Sequence, residues 1–185
     1  MTAAGTVPLV GLCGFAGAGK DTAALGLAAA GWARLAFADA LRDEVAGVLG
    51  MDPDEFRSKY EGDPAFKESV RPLLVAHGAR RRSSDRAYWI DIMRRRIEGL
   101  PPGCPGAVIT DIRYRDEGRF VREDMGGVVI RIERPGTAAA DREERRTVPS
   151  VEADATLRND GTAEDLWNRA AGTAARLLRE KRGQA

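Results

Sequence analysis

The chain has 185 residues, enough for one domain with a sizeable core, and its 29 basic residues stand against 28 acidic ones for a net charge of +1. That balance leaves no broad field to draw in nucleic acid or an anionic membrane, and no apolar run approaches the ~20 residues of a membrane span. Met1–Gly5 lacks the features of a signal peptide, and two cysteines make no disulfide framework, so Cys13 and Cys104 read as reduced thiols of a cytoplasmic protein.

Residues 7–13 are an almost continuous apolar run, as expected of a strand buried on both faces of a parallel sheet. The run leads into Gly14-Phe15-Ala16-Gly17-Ala18-Gly19-Lys20-Asp21-Thr22, a phosphate-binding loop, and then into an alanine-rich helix over 20–30 closed by Gly31. Small residues let backbone N–H groups turn inward around phosphate oxygens. The following helix aims its positive end at the same oxygens, and Lys20 reaches the β/γ-phosphates. The usual loop has Ser or Thr after the lysine to hold magnesium. Here Asp21 stands there, and Thr22 brings the hydroxyl one residue later. A carboxylate in that place can ligate Mg²⁺ directly, or repel the phosphates and act through water.

A second short strand is expected over 32–37, and Asp39 is placed to cap a helix to about residue 49. A small helix after Asp52-Pro53 and two longer ones over 65–78 and 85–99 follow. The stiff connector 101–106 leads to a strand over 107–110 that delivers Asp111, in the manner of a Walker B strand. Asp111 would hold magnesium or its waters, or bind the acceptor. A helix over 116–125 stops at Gly126-Gly127, and 128–132 is another buried strand. Residues 134–150 are polar and contain Pro135 and Pro149, which reads as a loop or lid. A weak fifth strand over 155–158, the Asn159-Asp160-Gly161 turn and a last helix capped by Thr162 complete the chain. Strands interleaved with helices imply a mostly parallel sheet covered on both faces, with ligands at the carboxyl ends of its strands.

Only Lys20, Lys59, Lys67 and Lys181 are lysines; the other 25 basic residues are arginines. Several recur where a second phosphate would sit: Arg42, Arg71, Arg80–Arg82, Arg113, Arg115, Arg142, Arg145 and Arg146. Ile112 stands where ATP-driven motors carry a water-activating glutamate, and no Asn-Lys-x-Asp guanine motif occurs, which weakens motor and GTPase readings. His77 lies in an apolar stretch and reads as packing. Trp89, beside Tyr88, reads as core with base stacking as the sharper alternative.

Beyond the loop, the chain carries Phe37-Ala38-Asp39-Ala40-Leu41-Arg42, Ser69-Val70-Arg71 to Gly78, and Asp85-Arg86-x-Tyr88-Trp89. Thr110-Asp111-x-Arg113-x3-Glu117, Val129-Ile130-x-Ile132-x-Arg134-Pro135-Gly136 and Asn159-Asp160-Gly161 follow. In this order, over nearly the whole chain, they resemble the phage-type deoxynucleoside monophosphate kinases, a family marked by the same Gly-Lys-Asp-Thr loop. The resemblance implies a P-loop, nucleoside-monophosphate-kinase-like α/β fold in a single domain spanning 1–185. Its five-stranded sheet would carry an acceptor-binding helical segment over about 38–100 and a lid over about 134–152.

The implied reaction moves the γ-phosphoryl group of ATP, with Mg²⁺, to a deoxynucleoside monophosphate of the dGMP, dTMP or dCMP type. Gly14, Ala16, Gly17, Ala18, Gly19, Lys20, Asp21 and Thr22 would hold ATP, and Asp21 and Asp111 the metal or acceptor. Arg42, Arg71 and Arg113 would clamp the acceptor phosphate or the transferring group. Ala38, Asp39, Gly78, Trp89, Glu117 and Ser150 would line the acceptor pocket, and Arg142, Arg145 and Arg146 would close the lid. Where the family shows a His-x-Ser-Glu-like signature the chain has Val148-Pro149-Ser150-Val151-Glu152, which bears on base choice. No membrane and no stable nucleic-acid partner is implied, a homodimer stays open, and the location is a cytoplasm, the host cell's if the protein is phage-encoded. A phosphomevalonate- or dephospho-coenzyme-A-kinase-like enzyme, and a nucleic-acid-associated ATP-binding protein using Arg80–Arg82 and Arg94–Arg96, are the rival readings.

Overall fold

A computed structural model of the protein describes residues 7–183, so the reading of Met1–Gly5 lies outside the described residues. The first strand, β1 (Leu9–Cys13), is followed by α1 (Lys20–Ala28) and β2 (Ala33–Leu35). Four helices come next: α2 (Phe37–Val48), α3 (Pro53–Gly62), α4 (Pro64–Ser84) and α5 (Tyr88–Glu98). The chain continues through β3 (Ala107–Ile112), α6 (Arg115–Arg119), β4 (Val128–Glu133), α7 (Arg142–Thr147), β5 (Ala155–Arg158) and α8 (Ala163–Gly183). It divides into two compact units, a first made of the residues up to 35 and from 99 on, and a second of residues 36–98.

In the first unit the five strands form one sheet in the order β2-β3-β1-β4-β5, every neighbouring pair parallel. β1 is central, and all five of its residues are buried, which is why its sequence is apolar without alternation. Its core joins Val10, Leu12, Val108, Ile130 and Ile132 from the sheet to Ala23, Ala24 and Leu27 of α1 and Leu166, Ala170 and Ala174 of α8. The alanines let α1 and α8 approach closely; a Cβ on Gly26 would lie 2.8 Å from the Trp167 carbonyl oxygen. At the edge, Gly106 leaves room for the Trp32 ring, 2.5 Å from where a Cβ would be.

Cys13 is fully buried, and the loss of water pushes its thiol up to about 11 despite the nearby Arg131 and Lys20 charges. A thiol reagent on the native protein is therefore expected to modify Cys104, which is half-buried, and to spare Cys13 until denaturant is added. Two equivalents reacting in the folded state would contradict this burial.

The second unit is helical. Phe56 is wholly buried among Val45, Ala46, Val70 and Leu74, and meets the Phe66 ring edge-on at 5.3 Å. Glu44 accepts from His77 Nε2 at 2.7 Å, from Arg81 Nε at 2.9 Å and from the Tyr88 hydroxyl, joining α2, α4 and α5. Burial works to raise the Glu44 carboxyl, but these three hydrogen bonds and the Arg81 charge hold it below its ordinary range.

Several boundaries differ from expectation. Phe37 opens α2 instead of ending a strand, and Ala36 is the N-cap without any side-chain cap. Asp39 does not cap the helix: it lies in the first turn, where its Oδ1 accepts from Arg42 Nη1 at 2.8 Å. Gly78 does not stop α4, which runs through it and through Pro72 to Ser84. Asp111 lies inside β3, with Ile112 as the last strand residue. The expected helix over 116–125 is α6 followed by a π-helical turn, Phe120–Asp124. Residues 134–150 are not wholly loop: α7 and a 3₁₀ turn, Val148–Ser150, lie within them. Asp52 does cap α3, accepting from the Asp54 and Glu55 amides at 2.9 and 3.2 Å.

Candidate active site

The phosphate loop joins the carboxyl end of β1 to α1, at the centre of the sheet. Three of its glycines take left-handed backbone angles: Gly14 (φ 142), Gly17 (φ 74) and Gly19 (φ 101). Residues with side chains rarely adopt these, so the loop turns as it does because the sequence is glycine there. The Ala18 amide donates to the Phe15 oxygen at 3.1 Å, closing the loop on itself.

Lys20, the first residue of α1, folds its chain back over the loop. Its Nζ donates to the Gly14 and Phe15 carbonyls, both at 2.9 Å. An ammonium has three donors, so two brace the loop and one remains for a ligand. Desolvation, and then the Arg113 guanidinium, lower the Lys20 pKa, while Glu144, Asp21 and Asp111 act the other way. The charges that act on Lys20 thus come from α1, from the end of β3 and from α7.

Asp111 is half-buried near the end of β3, and Arg113 is exposed just beyond it. Glu117, 2 % exposed, accepts from the Arg113 amide at 2.8 Å and the Tyr114 amide at 3.1 Å, so its carboxylate shapes the turn that carries Arg113. Asp21 faces the neighbouring strand: its Oδ1 accepts from Arg34 Nη2 at 3.0 Å, with 77 % of the side chain exposed. Thr22 is half-buried on the next position of α1. Among the described residues no cluster of three or more His, Cys, Asp or Glu side chains is arranged to hold a metal.

Two contacts at the loop were not read from the sequence as site features. Asn159, just after β5, donates through Nδ2 to the Ala18 oxygen at 2.9 Å, and a Cβ on Gly19 would lie 2.4 Å from that nitrogen. The Asn159-Asp160-Gly161 turn was the only signal. The second is Glu144 of α7, whose Oε1 accepts from the Ala16 amide at 2.9 Å. Arg142, Arg145 and Arg146 lie exposed on the same short helix, and the Tyr114 hydroxyl donates to Glu143 Oε1 at 2.6 Å. Ser150 donates to the Thr147 oxygen at 2.6 Å, a contact between near neighbours in the chain.

In the second unit, Ala38 is half-buried in the first turn of α2 and Arg42 lies over the Tyr60 ring, 4.7 Å from its centroid. Lys67 sits 5.1 Å from the same ring, and Arg71 is exposed one turn further along α4. Gly78 packs near Leu41, where a Cβ would meet its side chain at 3.4 Å. Trp89 is 4 % exposed, and its Nε1 donates to the Gly78 oxygen at 3.4 Å.

No protein-family model matches the chain. A protein of Acanthamoeba polyphaga mimivirus that carries the provisional name deoxynucleotide monophosphate kinase is 27 % identical over 192 residues, covering 86 % of this chain and 92 % of its own. Among solved structures, a gluconokinase from Sinorhizobium meliloti aligns with a TM-score of 0.50 at 14 % identity, covering 98 % of each chain. The five-stranded parallel sheet flanked by helices is thus the fold of the P-loop NTPases, and the chain is kinase-like in its sequence and its fold.

Proposed function

We propose that the protein transfers the γ-phosphoryl group of ATP to a deoxynucleoside 5′-monophosphate. The observation that carries this reading is the loop at the end of β1, with three left-handed glycines and Lys20 bracing the Gly14 and Phe15 carbonyls. The mimivirus relative, whose provisional name is deoxynucleotide monophosphate kinase, supports this choice of acceptor class. The acceptor phosphate is already a nucleophile at neutral pH, so positioning and charge neutralisation suffice, without a covalent intermediate.

In this reading the loop amides and Lys20 hold the ATP phosphates, and Arg113 neutralises charge on the group in transit. Arg42 and Arg71 bind the acceptor phosphate, with Ala38, Asp39, Gly78, Trp89, Glu117 and Ser150 shaping its surroundings. Lid residues Arg142, Arg145 and Arg146 shield the reaction from water.

Magnesium in phosphoryl transfer needs few protein ligands, because phosphate oxygens and waters complete its shell. Asp111, half-buried on β3 and among the charges felt by Lys20, fits that need. The Asp21 carboxylate, held by Arg34, fits it through water or after turning from its partner. Bound there, Mg²⁺ would neutralise phosphate charge.

The test is a coupled ADP-release assay with ATP and Mg²⁺ over deoxynucleoside monophosphates, ribonucleoside monophosphates and phosphomevalonate. Turnover with one or more of dGMP, dTMP and dCMP is expected. A response to phosphomevalonate alone, or ATP hydrolysis stimulated by DNA without any acceptor, would replace this reading by one of its rivals.

A further inference from the structure

Glu144 is a carboxylate with only 3 % of its surface exposed, in a short helix, α7, whose sequence is polar throughout. Burying a carboxylate is costly unless it is hydrogen-bonded and balanced by charge. The loop and the backbone just before α7 supply the hydrogen bonds, and Lys20 the balancing charge. Oε1 accepts from the Ala16 amide of the loop at 2.9 Å, and Oε2 from the Ala140 amide at 2.6 Å. Lys20 feels the charge of Glu144 directly. The backbone of Glu144 is fixed as well, since its own amide donates to Asp141 Oδ1 at 2.8 Å, the cap of α7.

Amides of a glycine-rich loop favour an anion, and here one of them has a carboxylate on it. A nucleoside triphosphate brings several negative charges to the same loop. Its terminal phosphate and the Glu144 carboxylate compete for the Ala16 amide and for the field of Lys20, and like charges a few ångströms apart in a partly dry site repel strongly. A diphosphate, one group shorter, competes far less. We propose that Glu144 discriminates nucleoside triphosphate from diphosphate: its carboxylate holds the Ala16 amide when no terminal phosphate is present, and yields it when a triphosphate binds.

The proposal rests on the phosphate-loop reading above and adds a direction to the reaction. Once the terminal phosphate has left, the carboxylate can return to Ala16, so the diphosphate product leaves without having to displace it and a fresh triphosphate must displace it again. Linkage requires the reverse as well, so triphosphate binding loosens the Glu144 contacts. The hydrogen bond from Tyr114 to Glu143 is independent of those contacts and would still tie α7 to the turn after β3. The arginines of that helix are then free to reorient toward the phosphates.

Calorimetric titration of the wild type and Glu144→Gln with a non-hydrolysable ATP analogue and with ADP, both with Mg²⁺, tests this. The neutral amide keeps the size of the side chain and removes the competing charge. Glu144→Gln should bind the analogue about tenfold more tightly and change ADP affinity by less than about threefold. Equal shifts for both nucleotides, or weaker binding of the analogue, would overturn the role. Should the variant fail to fold, amide exchange on the wild type decides. The analogue should speed exchange over residues 140–147 and ADP should not; slower or unchanged exchange with the analogue counts against the proposal. If neither nucleotide binds the wild type, the phosphate-loop reading falls and takes this one with it. If both bind without these differences, this one falls alone.

Discussion

Replacing Lys20 by alanine is expected to lower kcat for phosphoryl transfer by at least about 10²-fold, the scale seen when a donor aimed at developing charge is removed. The side chain braces the loop through Gly14 and Phe15 and keeps one donor and a full charge for the phosphates. Desolvation lowers its pKa, and the nearby Arg113 adds to this, which is the setting of a cation waiting for an anion. The two lost hydrogen bonds are worth about 1 kcal/mol each, so the melting temperature should fall by roughly 4–8 °C in a chain of this size, which leaves the protein folded at assay temperature. Lys20→Arg is not expected to rescue, because a planar guanidinium cannot replace a point charge that must reach two carbonyls and a phosphate. Circular dichroism separates lost chemistry from lost fold. A Lys20→Ala variant turning over at near the wild-type rate would remove the loop from the mechanism.

The framework of the first unit is legible in the sequence because parallel strands buried on both faces leave apolar runs, and glycines at fixed spacing leave a loop. Residues 7–13 and 128–132 became β1 and β4 almost unchanged. Where reading failed, a local signal was outweighed by contacts distant in sequence. Asp39 is a good capping residue, but its carboxylate pairs with Arg42 and the N-cap of α2 falls three residues earlier, on Ala36. Gly78 looks like a helix stop, yet α4 continues through it, and the glycine sits near Leu41. The segment over 134–150 was hardest, for a physical reason. Hydrophobic periodicity marks burial only for apolar residues, and what buries α7 on the loop is a carboxylate, Glu144, meeting a backbone amide 128 positions away. Asn159 is the same case, a polar side chain serving the Ala18 carbonyl across 141 positions.

The glycines of the loop are not equivalent, and substitution should rank them. Gly14→Ala is expected to be the most damaging. Its φ of 142 disfavours any side chain, and the added Cβ would lie 2.3 Å from the Ile132 backbone oxygen on β4. That oxygen belongs to a strand held by neighbours on both sides, β1 and β5, so it cannot move aside as a flexible side chain would. Backbone strain and collision together should cost about 3 kcal/mol or more, which in a chain of this size lowers the melting temperature by roughly 6–12 °C. Nucleotide binding should be lost with it, because the same residue gives Lys20 one of its carbonyls. At Gly17 the backbone is also left-handed, with φ 74, but a Cβ would meet nothing nearer than a Thr137 methyl at 4.0 Å. Gly17→Ala therefore carries the conformational cost alone, roughly 1–2 kcal/mol. Thermal melts of the two variants measure the difference, which combines the collision with β4 and the greater backbone strain at φ 142. If Gly17→Ala proved the less stable of the pair, the close seating of the loop on the sheet, on which the phosphate site depends, would be wrong.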